Sequence, residues 1–213
     1  MSNAMSKSKR QYYDHLYKIV VIGVADVGKT SLTRVFCGDD FRVTEVATVQ
    51  RELFTTYMKR GKKSIKIDIY DTAGSERYAS LTRSYLRAAS GILLVYSVNN
   101  PKSLLQSINL YKKIKDDDPD FKPSIILVGS KSDLDVKITG GDIMDAKRQV
   151  NNISHVITSA KTGENLEYIF EALIDDILAN DLKLASSYKK LGTTDGGETS
   201  MKETNESKCC VIL

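Results

Sequence analysis

Cysteine is scarce in this chain of 213 residues: there are three, with Cys37 alone and Cys209 and Cys210 adjacent near the end. Neither arrangement is a disulfide framework, so a reducing cytosol is the expected setting. Long apolar runs are missing too. No stretch approaches the roughly 20 residues needed to cross a bilayer. The opening MSNAMSKSKR has no apolar core to serve as a signal peptide, and MSNA reads as an expression remnant ahead of a natural start near Met5. Charge of one sign is also lacking. A net +4 with interspersed Lys and Asp/Glu is not the basic patch or stripe of a nucleic-acid binder. What remains is 41% hydrophobic residues, enough for the core of one domain or at most two small ones.

The apolar residues fall into alternating patterns. YKIVVIG (17–23) reads as a buried strand, and KTSLTRVFCG after it as a helix with Leu32, Val35 and Phe36 on one face. Residues 38–50 are polar and aperiodic, a loop. RELFTTYM and KSIKIDIYD read as a hairpin with Gly61 in its turn, Ile65, Ile67 and Ile69 alternating with polar residues. Strands follow at GILLVYSV (91–98), SIILVGS (124–130) and HVITSA (155–160). Helices are expected over 103–115 (Leu104, Ile108 and Tyr111 in one stripe), 142–151, and from Leu166 to Leu184. The last presents Leu166, Ile169, Phe170, Leu173, Ile174 and Ile177 to the sheet. This alternation describes a three-layer α/β domain with one antiparallel edge. Residues 1–15 and 186–213 have almost nothing to bury and are expected to be disordered, leaving one domain over 16–185.

GVADVGKT (23–30) fits G-x-x-x-x-G-K-[ST] between a strand and a helix. Such a loop turns the backbone N–H groups of Asp26, Val27, Gly28, Lys29, Thr30 and Ser31 toward phosphate oxygens at the positive end of a helix. Lys29 would reach the β and γ phosphates, and the Thr30 hydroxyl would ligate Mg²⁺. Asp71, closing a strand, fits a carboxylate that holds the same ion through water. Gly74 offers a backbone N–H to the γ-phosphate. Thr48 or Thr44 could complete the Mg²⁺ shell when triphosphate is bound, and composition does not separate them.

GSKSD (129–133) places Lys131 and Asp133 two apart after a strand. A carboxylate accepts from both N1–H and the 2-amino group of guanine, a donor pair adenine lacks, so Asp133 favours GTP over ATP. Lys131 would lay its stem along one face of the base. In SAK, Ser159, Ala160 and Lys161, the Ala160 N–H can reach guanine O6.

These motifs, in this order and spacing, resemble those of the Ras superfamily of small GTPases over residues 16–180. The resemblance implies a P-loop NTPase sandwich: a six-stranded, mostly parallel sheet with one antiparallel edge strand, and five helices. It implies a GTP-on, GDP-off switch that hydrolyses GTP, with GTP or GDP and Mg²⁺ bound. It makes Thr48 the Mg²⁺-binding switch threonine and Phe41 the aromatic packed edge-on against guanine. It also implies exchange factors, GTPase-activating proteins, effectors and a GDP dissociation inhibitor as partners of a monomer. DIYDTAGSERYASLTRSYLRAASGILLVYSV is similar to the Rab branch, whereas TVQREL (48–53) and Tyr70 depart from it, and YSVNNPKSL is as Ras-like as Rab-like.

Three departures bear on chemistry. The family carries Gln at Ser75 to orient the attacking water. A serine is too short for that, so slow intrinsic hydrolysis is expected. Ala25 sits where larger residues obstruct an activator's arginine, and one Cβ is a small obstacle. Ser130 replaces an Asn that bonds guanine N7 and tethers the phosphate loop to the base loops. Serine is expected to lack that reach, giving faster nucleotide release with guanine preference kept by Asp133.

The ending CVIL fits C-a-a-X with a Leu that favours geranylgeranyl. Paired cysteines near the end also resemble Rab tails, in which a transferase with its escort protein modifies both. Residues 187–208 hold as many Lys as Asp/Glu, four of each, so there is no polybasic second signal. Stable anchoring needs two signals, which favours lipids on both Cys209 and Cys210 at the cytoplasmic face of an intracellular membrane, with a cytosolic pool. The reading is a membrane-anchored switch in vesicle traffic. A Ras-type signalling GTPase and a nucleotide-bound adaptor with little turnover are the alternatives.

Overall fold

A computed structural model of the chain describes residues 12–43, 52–72, 86–118, 120, 122–151 and 153–191, with side chains of the last helix described through Lys183. Six strands, β1 (His15–Ile22), β2 (Glu52–Arg60), β3 (Lys63–Asp71), β4 (Gly91–Ser97), β5 (Ser124–Ser130) and β6 (Ser154–Ile157), form one sheet in the order β2-β3-β1-β4-β5-β6. Only β2 is antiparallel, pairing with β3 across Gly61 and Lys62; every other pair is parallel. Four helices lie among the described residues, against the five implied by resemblance: α1 (Lys29–Phe36), α2 (Pro101–Asp117), α3 (Gly140–Gln149) and α4 (Leu166–Leu191).

The side-chain alternation of β1 explains the three layers. Tyr17, Ile19 and Val21 point into a core shared with Leu32 of α1 and with Leu166, Ile169, Phe170, Leu173, Ile174 and Ile177 of α4. Val20 and Ile22 point the other way, toward Leu104, Ile108 and Tyr111 of α2 and Ala146 of α3. Strands covered on both faces read as continuous apolar runs, and β4 is buried at every position. In β3, by contrast, Ile65, Ile67 and Ile69 are buried while Lys66, Asp68 and Tyr70 between them are only half-buried.

Element ends moved for local reasons. α2 begins at Pro101 because a proline in the first turn gives up no helical hydrogen bond. α3 begins at Gly140, ahead of the expected Asp142, because Thr139 and Asp142 form a reciprocal capping box. β6 ends at Ile157, short of the expected Ala160, because the Ser159 N–H and the Thr158 hydroxyl both turn away to the Glu164 carbonyl. α4 continues past Leu184 to Leu191, through Ala, Leu and Lys residues that suit a helix. Residues through Asn180 form one compact unit, and a second begins at Asp181.

Candidate nucleotide site

The parallel strands β1, β3, β4 and β5 deliver their C-terminal ends to one edge, and the loops there carry the chemistry. The phosphate loop leaves β1 at Gly23, where a Cβ would lie 2.3 Å from the Val95 carbonyl oxygen of β4; only glycine lets the backbone pass. At Gly28, φ of 86° caps α1 with no side-chain hydrogen bond, and the first turn holds no acidic residue. The positive end of α1 thus suits an anion, with no acidic side chain in the first turn to compete for it.

Lys29 folds back over this loop, its Nζ donating to the Val24 carbonyl at 2.9 Å. Burial lowers its pKa to about 8, with Asp71 and Asp26 working in the opposite direction. A phosphate would supply the negative charge that the buried ammonium needs. The next residue, Thr30, donates from Oγ1 to Oδ2 of Asp71 at 2.5 Å. Asp71 is brought there by its register beside Val21 of β1. Its carboxyl is fully buried and pushed up to about 6, by burial against the lowering effects of Thr30 and Lys29.

Asp71 Oδ1 is buried without a hydrogen-bond partner. An orphaned carboxylate oxygen beside a hydroxyl fits Mg²⁺, a hard cation that takes one or two protein oxygens and completes its shell with water and substrate phosphates. Thr30 and Asp71 would hold Mg²⁺, which when bound neutralises charge on the phosphates.

At the end of β5, Ser130 is buried, and its hydroxyl faces two carbonyls, that of Val27 in the phosphate loop and that of Tyr96 in β4 at 2.9 Å. This corrects the expectation that serine lacks the reach to tether the phosphate loop. The loop packs down on β5 at Gly28, whose Cβ position would be 3.8 Å from Ser130 Oγ, so a short side chain suffices. Lys131, at φ 63°, adds a second tie: its Nζ donates to the Asp26 carbonyl at 2.6 Å and its carboxylate at 3.1 Å.

Asp133 is oriented from the β6 side. Ser159 Oγ donates to Asp133 Oδ1 at 2.6 Å while accepting the N–H groups of Lys161 and Thr162. Lys161 Nζ lies 3.9 Å from Asp133 Oδ2. Ala160 sits between them, and its N–H has no acceptor among the described residues. Ser31 lies half-buried in the first turn of α1, and Phe41, partly exposed, lies beyond its end. Thr44, Thr48, Gly74, Ser75, Cys209 and Cys210 fall outside the described residues.

The model of the Ras family matches residues 18–179. The chain belongs to the Ras family. Among its relatives, the Ras-related protein RABE1e of Arabidopsis thaliana is 34% identical over 94% of both chains. The Ras-related protein Rab-13 of Mesocricetus auratus is 33% identical over 91% of this chain and 96% of its own. The Ras-related protein Rab-3 of Caenorhabditis elegans is 34% identical over 84% and 81%. Ras-family proteins bind guanine nucleotides with Mg²⁺ and hydrolyse GTP.

Two features of this Ras-family site had no signal in the sequence. Glu164 braces both base loops, accepting from the Thr158 hydroxyl at its carbonyl and from the Ser132 hydroxyl at its carboxylate. Asp26 pairs with Lys131 across 105 positions of chain. Both depend on how loops from distant strands meet, which periodicity does not record.

Proposed function

We propose that this Ras-family protein is a Rab-type, membrane-anchored switch that hydrolyses GTP to GDP and phosphate and recruits effectors in vesicle traffic. The observation that carries the reading is the pairing of two clusters on one sheet edge. Lys29, Thr30 and Asp71 suit a triphosphate with Mg²⁺, and Asp133, held by Ser159, suits guanine. The Rab names of the relatives support the branch and the vesicle-traffic role.

In this reading residues 16–185 are the GTPase domain. The N–H groups of Asp26 to Ser31 cradle the phosphates and Lys29 balances their charge. Thr48 and Gly74 sense the γ-phosphate, ordering residues 42–50 and 74–84 into an effector surface. Ser75 is too short to orient the attacking water, so hydrolysis is slow and turnover depends on a GTPase-activating protein. The tail over 186–213 carries prenyl groups on Cys209 and Cys210, added by a transferase with its escort protein. A GDP dissociation inhibitor would then extract the lipidated, GDP-bound monomer.

Single-turnover phosphate release from GTP-loaded protein, with mass spectrometry of protein from its native cells, tests this. Slow but measurable release and two prenyl groups are expected. No release at all would favour an adaptor with little turnover, and one lipid would favour a Ras-type signalling protein.

A further inference from the structure

Four serine and threonine hydroxyls of the two base loops, those of Ser130, Ser132, Thr158 and Ser159, already have acceptors within the protein. Ser130 Oγ, with 1% of the residue exposed, faces the Val27 and Tyr96 carbonyls. Ser132 Oγ donates to Glu164 Oε2 at 2.5 Å, Thr158 Oγ1 to the Glu164 carbonyl at 2.6 Å, and Ser159 Oγ to Asp133 Oδ1 at 2.6 Å. A hydroxyl has a single proton to give. Turning any of these toward a ligand would leave an acceptor in the protein short of its donor, which is unfavourable where that acceptor is buried.

The longer donors have partners within the protein as well. Lys131 Nζ is drawn to the phosphate loop by Asp26. Lys161 Nζ lies 3.9 Å from Asp133 Oδ2. Asn165 Nδ2 donates to the Ile157 carbonyl at 2.9 Å. The Ala160 N–H is the donor left for O6. N7 is the neighbour of O6 on the same purine edge, and Ser130, which stands where the family's N7-reading asparagine would be, is turned to the Val27 and Tyr96 carbonyls instead.

We infer that this chain reads guanine through Asp133 and the Ala160 N–H and makes no hydrogen bond to the purine N7, with Ser130 as the residue that withholds it. The pocket therefore accepts guanine nucleotides altered at position 7. This rests on the guanine-site reading above and specifies which edge of the base is read.

The test is competition of GDP, 7-deaza-GDP and ADP for nucleotide-free full-length protein in Mg²⁺. In 7-deaza-GDP a C–H replaces N7, so a lost hydrogen bond shows directly as lost affinity. GDP and 7-deaza-GDP are expected to bind equally within about threefold, both far ahead of ADP, whereas one hydrogen bond to N7 would separate them by roughly tenfold. GDP ahead of both ADP and 7-deaza-GDP would overturn the N7 inference and leave the guanine reading standing. ADP binding as well as GDP would overturn the guanine reading, and the inference with it. Ser130→Asn, which adds an amide donor, is expected to create discrimination against 7-deaza-GDP. Should that variant not fold, Ser130→Ala is expected to leave the ratio of the two guanine nucleotides unchanged, and a change in it would overturn the inference.

Discussion

The hydroxyl of Ser130, at the end of β5, donates to the carbonyl of Val27, so the base loop holds the phosphate loop from below. Its single proton is shared between Val27 and the Tyr96 carbonyl. The tether that the family makes with asparagine is present here in a shorter form.

Removing that hydroxyl has a defined consequence. Ser130→Ala leaves buried carbonyls without a donor, a loss of about 1–3 kcal/mol. GDP release should accelerate by roughly tenfold. Ser130→Asn should slow release by about one hydrogen bond, 0.5–1.5 kcal/mol. Stopped-flow release of a fluorescent GDP measures both, and an alanine variant releasing at the parental rate would contradict the tether.

Asp71 links metal, pH and stability. Burial raises its folded pKa to about 6 from 3.8, so the folded state binds this proton more tightly than the unfolded chain does. The stability it contributes is present below about pH 4 and is lost as pH rises toward 6. Metal-free protein should therefore lose stability over that window, and Mg²⁺ with GDP should restore it at neutral pH. Asp71→Asn should flatten the slope in thermal unfolding of metal-free protein. It should also make GDP release nearly insensitive to a chelator, whereas the parent should release GDP faster once Mg²⁺ is removed.

The elements were largely legible because each buries a periodic face. The Ile65, Ile67, Ile69 alternation and the Leu166-to-Ile177 stripe fall where the sequence placed them. So does Asp71, at the end of β3 beside Thr30. The reach of Ser130 was not legible, because it depends on how closely the phosphate loop settles on β5, a distance set by packing at Gly28. The Asp26–Lys131 tie was hidden for a similar reason: both residues take left-handed backbone angles, which alter where their side chains go. The start of α3 was readable in Thr139 and Asp142, but two glycines between them masked the capping box.

His155 supports the base loop through β6. Its Nε2 lies 2.8 Å from the Tyr96 hydroxyl, and burial holds that phenol well above the ordinary tyrosine range. The phenol therefore keeps its proton and shares a hydrogen bond with the imidazole. Burial, then Lys147, lowers the His155 pKa below 6.5, so the unfolded chain takes up this proton more readily. The contribution to stability is present above pH 6.5 and is lost as pH falls through the lowered folded value. Thermal unfolding from pH 7.5 to 5 should show a shallower acid-side decline in His155→Gln than in the parent.

Ser75 is expected to limit the chemical step. Ser75→Gln should raise single-turnover GTP hydrolysis by an order of magnitude or more, since a longer amide can orient the attacking water. An unchanged rate would remove Ser75 from the explanation of slow turnover.

The most direct measurement is a competition titration of nucleotide-free protein with GDP, GTP and ATP in Mg²⁺, repeated with Asp133→Ala. Tight binding of both guanine nucleotides with ATP excluded, and loss of that preference in the variant, is the expected result. ATP competing as well as GTP in the parent, or a preference for guanine that survives loss of the Asp133 carboxylate, would contradict a guanine site built on that residue.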